Sequence, residues 1–158
     1  MTREEVLKNI QKRFADDIIN LFDKSAKRVY IEIKPESIIK IAQYIFKDLG
    51  ARFNIASGVD TRFHIEILYH FIIEDINLLI SLRVKLDKSK PLEIDSLAPH
   101  IKATNWIERE ICELFGVNFK NHPDLRRLLL LDEWPKDVYP LRGEYKEWDE
   151  NAIRDRGV

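Results

Sequence analysis

The sequence predicts an α+β fold: a small mixed or antiparallel sheet of about four strands, helices packed on one face, and a C-terminal extension. Three observations predict it. Apolar residues alternate with polar ones over 51–55, 62–71 and 78–86, which is the period of a half-buried strand. They recur at three- and four-residue steps over 4–24, 38–49 and 106–115, which is the period of an amphipathic helix. After Leu131 neither period persists.

Leu7, Ile10, Phe14, Ile18 and Leu21 predict a first helix over 4–24. Its polar face is mixed in sign, which argues against a helix lying on a membrane surface. Residues 28–33 read as a strand with Val29, Ile31 and Ile33 on one face. Pro35 suits the first turn of the next helix. That helix buries Ile38, Ile41, Ala42, Ile45 and Leu49, and Gly50 ends it. A strand over 51–55, a turn at Gly58-Val59-Asp60, a strand with Ile65, Ile67, Tyr69 and Phe71 on one face, a reversal at Glu74-Asp75 and a strand over 78–86 complete the pattern. Helix–strand–helix–three strands makes a two-layer sandwich. Residues 87–99, with Lys88, Ser89, Lys90 and two prolines, read as a linker. The expected division is a core domain over 1–119 and an extension over 120–158.

Composition sets the class. A chain of 158 residues that is 45% hydrophobic can bury a real core. A formal net charge of −1 gives no general pull toward nucleic acid or acidic membranes. A charged fraction of 34%, rich in Lys and Glu, leans toward a thermophile. The single cysteine, Cys112, excludes an internal disulfide and a cluster held by this chain's thiolates. The opening MTREEVLKNIQKRF has no apolar signal region. No run approaches the ~20 apolar residues that span a bilayer. By itself the chain is expected to be soluble and cytosolic.

The densest run of unusual residues is 105–127. Helical spacing over 106–115 puts Ala103, Ile107, Ile111 and Leu114 on one stripe, with Trp106 and Phe115 at its margins. Gly116 stands where a helix ends in a left-handed turn, and Val117 can supply the contact after it. Glu108, Arg109, Glu110 and Glu113 fall on the other faces, with Arg109 and Glu113 spaced to pair. Glu108 and Glu110 point nearly 200° apart on a helix. They cannot share one substrate atom, and each is expected to pair with a base, Arg126 and Arg127 being the candidates. Pro123 drives His122 out of helical geometry, and Asp124 can cap a short helix over 125–131.

The run NWIEREICELFGVNFKNHPDLRRLLL, then DEW and PLRGEY, resembles the signature of the thirty-kilodalton subunit family of respiratory complex I. That pattern is roughly ERE-x-x-D-x-FGI-x-F-x-GHPDLRR-LL-P-x-x-W, then PLRKDY. The family extends to the matching subunit of membrane-bound nickel–iron hydrogenases and of ferredoxin- or formate-linked complexes. Here Asn121 replaces a Gly, Glu113 an Asp, Leu131 a Pro, and Gly143-Glu144 a Lys-Asp pair. The short chain and the PLRGEY segment lean toward the hydrogenase-like or ferredoxin-linked branch.

The resemblance implies a non-catalytic subunit with no redox centre of its own. It implies docking on a large catalytic subunit of the quinone- or nickel–iron-bearing type, and on an adjacent iron–sulfur subunit. Iron–sulfur clusters, and nickel–iron in hydrogenases, would belong to those partners. It further implies a peripheral place on the cytoplasmic face of the membrane, with the membrane arm touched only indirectly and no nucleic acid bound. The expected interface takes Trp106, Phe115 and Gly116 from the helix with Glu108, Arg109 and Glu110. It takes His122, Pro123, Asp124, Arg126 and Arg127 from the turn, and Trp134, Leu141 and Arg142 from the tail. Trp134, Tyr139, Tyr145 and Trp148 either fold back on the domain or fill partner pockets; the resemblance favours the partner.

Other readings of these residues are stand-alone chemistry or a generic protein-binding adaptor. His64 and Glu66 share a strand face ~7 Å apart and could offer two metal ligands, but a third must come from elsewhere. Solvated side chains are the simpler account. His122 could act as a general base; beside Pro123-Asp124 it more simply fixes a turn. Cys112 has no second cysteine or histidine near it and reads as packing. Five scattered glycines make no phosphate loop.

Overall fold

A computed structural model describes residues 1–145. Residues 146–158 of the expected extension, Trp148 among them, lie outside the described residues.

Helix α1 (Arg3–Arg13) starts at a capping box, in which Thr2 accepts the Glu5 amide and the Glu5 carboxylate accepts the Thr2 amide. It ends at Phe14 rather than continuing to Lys24. The amides of Asp17 and Ile18 both return to the Phe14 carbonyl. The chain then enters strand β1 (Ile18–Ser25), paired antiparallel to β2 (Arg28–Ile33). The same apolar spacing serves both states, and the ladder offered by β2 favours β-branched Ile18 and Ile19 as strand. A 3-10 turn over Pro35–Ser37 leads into α2 (Ile38–Gln43). A wider π turn over Tyr44–Asp48 follows, and Gly50 closes the element at φ 64°.

Strands β3 (Arg52–Asp60), β4 (His64–Ile73) and β5 (Leu78–Asp87) form the rest of the sheet. The order is β1-β2-β5-β4-β3, with β2 and β5 parallel and the other pairs antiparallel. The sheet thus has five strands, the extra one being β1. The expected turn at Gly58-Val59-Asp60 is strand. Gly58 lies under the Phe115 ring, where an added Cβ would come within 2.6 Å of Cε2.

Val29, Ile31, Ile65, Ile67, Tyr69, Phe71, Ile80 and Leu82 line one face. They share a core with Ile10 of α1, Ile41 and Ile45 of α2, and Ile111 and Phe115 of the helix described next. All helices therefore lie on one side. The other face carries ion pairs from Lys85 to Glu32 at 2.9 Å and from Arg83 to Glu66 at 3.4 Å. There His70 Nδ1 meets Ser81 Oγ at 2.8 Å. Among the described residues no group of three His, Cys, Asp or Glu is placed to hold a metal.

The expected linker contains strand β6 (Glu93–Asp95), parallel to β7 (Asn118–Lys120). Ile94, Leu97 and Phe119 are buried there. Between these strands runs α3 (Asn105–Phe115), ended by Gly116 at φ 72°. Among the described residues no helix is long and apolar enough to cross a membrane.

Candidate functional site

Helix α3 is rotated from the phase that apolar spacing alone predicts. Its buried line is Thr104, Glu108, Ile111 and Phe115, at steps of four, three and four. Ala103 is exposed and Ile107 half-buried. Two polar residues on the buried line are made tolerable by bonds.

Glu108 is fully buried. Its Oε1 accepts from Tyr69 Oη at 3.1 Å and from the Leu97 amide at 2.8 Å. Its Oε2 accepts from Ser96 Oγ at 2.5 Å. One carboxylate thus ties β4 and the β6–α3 loop to α3. Burial pushes its pKa up, and the three hydrogen bonds resist that rise. Tyr69, buried against this charge, holds its phenol proton well above the usual range.

The His122 ring is enclosed beside Glu108, with Nε2 3.9 Å from Oε2. Its Nδ1 accepts the Asp124 amide at 3.0 Å, so Nε2 carries the proton and donates to the Asn105 carbonyl at 3.0 Å. At 3.9 Å the contact with Glu108 is longer than a hydrogen bond. Both ring nitrogens serve the main chain, as the turn-fixing reading expects. Asn121 before it adopts φ 62°, a left-handed conformation that Asn, like the Gly it replaces, can take.

Residues 125–131 form no helix. Helix α3 takes over their main-chain groups. Arg109 Nε donates to the Arg126 carbonyl at 2.8 Å and Nη2 to the Arg127 carbonyl at 2.7 Å. Glu113 accepts the amides of Leu128, Leu129 and Leu130 at 3.0, 2.6 and 3.3 Å. These bonds replace the i to i−4 bonds of a helix. Arg127 extends the strap, donating to the carbonyls of Leu131, Asp132 and Trp134. Arg142 Nε returns to the Phe115 carbonyl at 2.7 Å. The Gly143 amide donates to Asp60 at 2.6 Å, and Lys88 pairs with that same carboxylate.

Several expected pairings are therefore corrected. No ion pair joins Arg109 to Glu113 among the described residues; both are spent on the strap. Glu108 meets hydroxyls and an amide rather than Arg126 or Arg127. Asp124 caps no helix and instead grips Arg126, Nη2 to Oδ2 at 2.7 Å. That guanidinium is the main cause that lowers the Asp124 carboxyl to about 2. Phe115 is in the core, whereas Trp106 is 69% exposed. Glu110 and Trp134 are half-buried, and Pro123 and Leu141 are exposed. Gly116 lies against the Tyr139 ring, which an added Cβ would approach to 2.5 Å.

Sequence reasoning missed Tyr69, Ser96 and the strap role of Glu113. The signal for Glu108 was available: it falls three and seven residues before Ile111 and Phe115, on their side of the helix. Cys112 is half-buried and its thiol is pushed up by burial, which disfavours the nucleophilic thiolate. The strap leaves Leu129 and Leu131 exposed on a main chain held by these hydrogen bonds.

The family described as the 30 Kd subunit of respiratory-chain NADH dehydrogenase matches residues 31–151. The chain is 28% identical to the C subunit of the F(420)H(2) dehydrogenase of Methanosarcina mazei, covering 98% of both chains. It is 29% identical to the fused C/D polypeptide of the NADH-quinone oxidoreductase of Proteus mirabilis over 90% of this chain, and spans only 25% of that longer relative. Its fold matches a chain from the archaeal membrane-bound sulfane sulfur reductase, with TM-score 0.75 and 19% identity, over 90% of this chain and 85% of that one.

Proposed function

This chain belongs to the family of the 30 Kd subunit of respiratory-chain NADH dehydrogenase, and on that premise we propose that it is a non-catalytic peripheral subunit of a membrane-bound, complex I-related oxidoreductase. It clamps the large catalytic subunit and keeps it in register with the adjacent iron–sulfur subunit. The redox centres sit on those partners. Electron transfer needs fixed distances between centres, and a rigid brace supplies them without carrying electrons.

The observation that carries this reading is the strap. Residues 121–145 are tied to α3 through main-chain bonds, while Leu129 and Leu131 point outward at 60% and 74% exposure. Large apolar side chains on a fixed path are the form of an interface anchor. The Proteus relative supports the choice of partner. Its name joins the C and D polypeptides in one chain, and this chain matches a quarter of it. The residues over 120–158 are accordingly the docking extension and those over 1–119 the body that carries it. We assign the chain to the hydrogenase-like or ferredoxin-linked branch on its PLRGEY segment, where Gly143 and Glu144 are built into the contact with Asp60 and Lys88. The NADH-quinone relative favours a second reading, a compact version of the respiratory NADH:quinone oxidoreductase polypeptide.

Affinity purification of the tagged chain from its own membranes tests the reading. A stoichiometric large subunit is expected, and replacing Arg126 by Ala should lower its recovery while the isolated chain melts as before. Isolation as a free monomer, or turnover by the chain alone, would overturn it.

A further inference from the structure

The rotation of α3 leaves an apolar stripe that the described residues do not finish covering. Ala103 and Ile107 lie one turn apart beside Trp106. Across from Trp106 stand Leu129 of the strap and Ile55 of edge strand β3, 60% and 49% exposed. Together with Phe53 they frame a groove of about 420 Å³. A second hollow, lined by Ala98, Pro99 and Pro123, lies on the other side of Trp106. Exposed large apolar side chains gathered at one place mark an interaction surface, unlike the same residues scattered singly.

Two charges frame this surface. Lys102, in the 3-10 turn Lys102–Thr104 that leads into α3, lines the hollow with Pro99 and Pro123, and Glu110 of α3 lines the groove with Leu129, so that Trp106 stands between the two charges. Neither Lys102 nor Glu110 has an ion-pair or side-chain hydrogen-bond partner among the described residues. At about 2.0 Å per residue through that turn and about 1.5 Å along α3, the two charges lie roughly 13 Å apart along the axis.

We propose that Trp106, the two hollows beside it and the flanking Lys102 and Glu110 receive an amphipathic helix of the large subunit. The inference rests on the clamp reading above and assigns the contact. The incoming helix lays an apolar stripe over Trp106 and into the groove between Trp106 and Leu129. A carboxylate of that helix meets Lys102, and a Lys or Arg about two turns away meets Glu110. A ridge at Trp106 between two hollows suits the ridges and grooves of a helix better than an extended strand. The opposite order of charges along the partner would repel at both ends, so the two charges also set its direction. The strap contributes by fixing Leu129 in advance through the bond from its amide to Glu113, which spares ordering cost on binding.

The test uses the native complex with a photoreactive p-benzoylphenylalanine replacing Leu129, and a control replacing Phe22, which is exposed on β1 at the far edge of the sheet. The Leu129 position is expected to cross-link to a helical stretch of the large subunit that carries an acid and a base two turns apart. Glu110→Lys should cut recovery of the large subunit about tenfold, and reversing the sign of the base found by cross-linking should restore it. Cross-links from position 129 only to residues 146–158 of the same chain, or to lipid, would overturn the proposal. So would full recovery of the large subunit with Glu110→Lys. If no large subunit is recovered even with the wild-type chain, the clamp reading itself fails; if it is recovered but cross-links only through Phe22, the clamp stands and this groove does not.

Discussion

In the sandwich, Ile10, Ile41, Ile67, Tyr69 and Ile80 come from separate elements and neighbouring strands and exclude water from one core. In the strap over 121–145, the outward Leu129 and Leu131 share no core, and the order comes from Arg109, Glu113, Arg127 and Arg142 gripping carbonyls and amides. The first region is stabilised by area removed from water, the second by charge-assisted hydrogen bonds at named atoms. Damage to the sandwich should therefore be felt everywhere, and damage to the strap only locally.

The largest effect is expected from Ile80→Ala. It empties a fully buried site on the central strand and should cost about 2–5 kcal/mol in urea unfolding. Gly58→Ala tests where helix and sheet meet. Its Cβ would crowd the Phe115 ring, and a loss of about 1–3 kcal/mol is expected, with relief when Phe115 is also shortened to Leu.

Glu108→Gln removes a titration rather than a volume. Because burial raises the folded-state pKa above the ordinary 4.5, the unfolded chain ionises first as pH rises. The contribution is complete below 4.5 and is lost as pH climbs through the raised folded value. Urea midpoints of the wild type relative to Glu108→Gln should fall between acidic and neutral pH; a constant difference would contradict this.

Glu113→Gln should leave the global midpoint within about 0.5 kcal/mol, because it touches the strap alone. Amide exchange at Leu128 and Leu129 should quicken about tenfold or more, as charge-assisted bonds become neutral ones. A matching drop in the global midpoint would erase the distinction between the regions. The smallest effect belongs to Asp124→Asn. The carboxyl titrates near 2 in the folded chain against an ordinary 3.8, so its contribution is present above 3.8 and is lost as pH falls through 2. An NMR titration of that carboxyl checks the midpoint, and the exposed pair with Arg126 should matter little to global unfolding.

The same division decides what the sequence discloses. The alternation at Ile65, Ile67, Tyr69 and Phe71 marks strand and face at once, because burial there depends on side-chain type. The stretch at 18–25 misleads because Ile18 and Leu21 fit a helical period as well as a strand, and only pairing with β2 chooses. The strap is hidden for a different reason. Leu128, Leu129 and Leu130 favour a helix by propensity, and what unwinds them is a carboxylate fifteen or more residues earlier. Local pattern holds no record of a bond between a side chain and distant main chain. At the candidate site, the charged and apolar members were visible as types, but the phase of α3 was not. It is set by hydroxyls and an amide that satisfy Glu108, and those come from β4 and the β6–α3 loop.

Glu113 touches amide hydrogens, which nearly every amino acid owns. The hydrogen bonds that set the course of the strap are thereby insulated from the identity of residues 128–130, and the outward side chain at 129 is free to drift with a changing neighbour. Proline is the exception, since it has no hydrogen to give. The grip ends at Leu130, one residue before Leu131, where the related signature carries proline. A ring at that position would forfeit no bond to the carboxylate. As far as these bonds decide, proline alone should be missing from 128–130 across relatives.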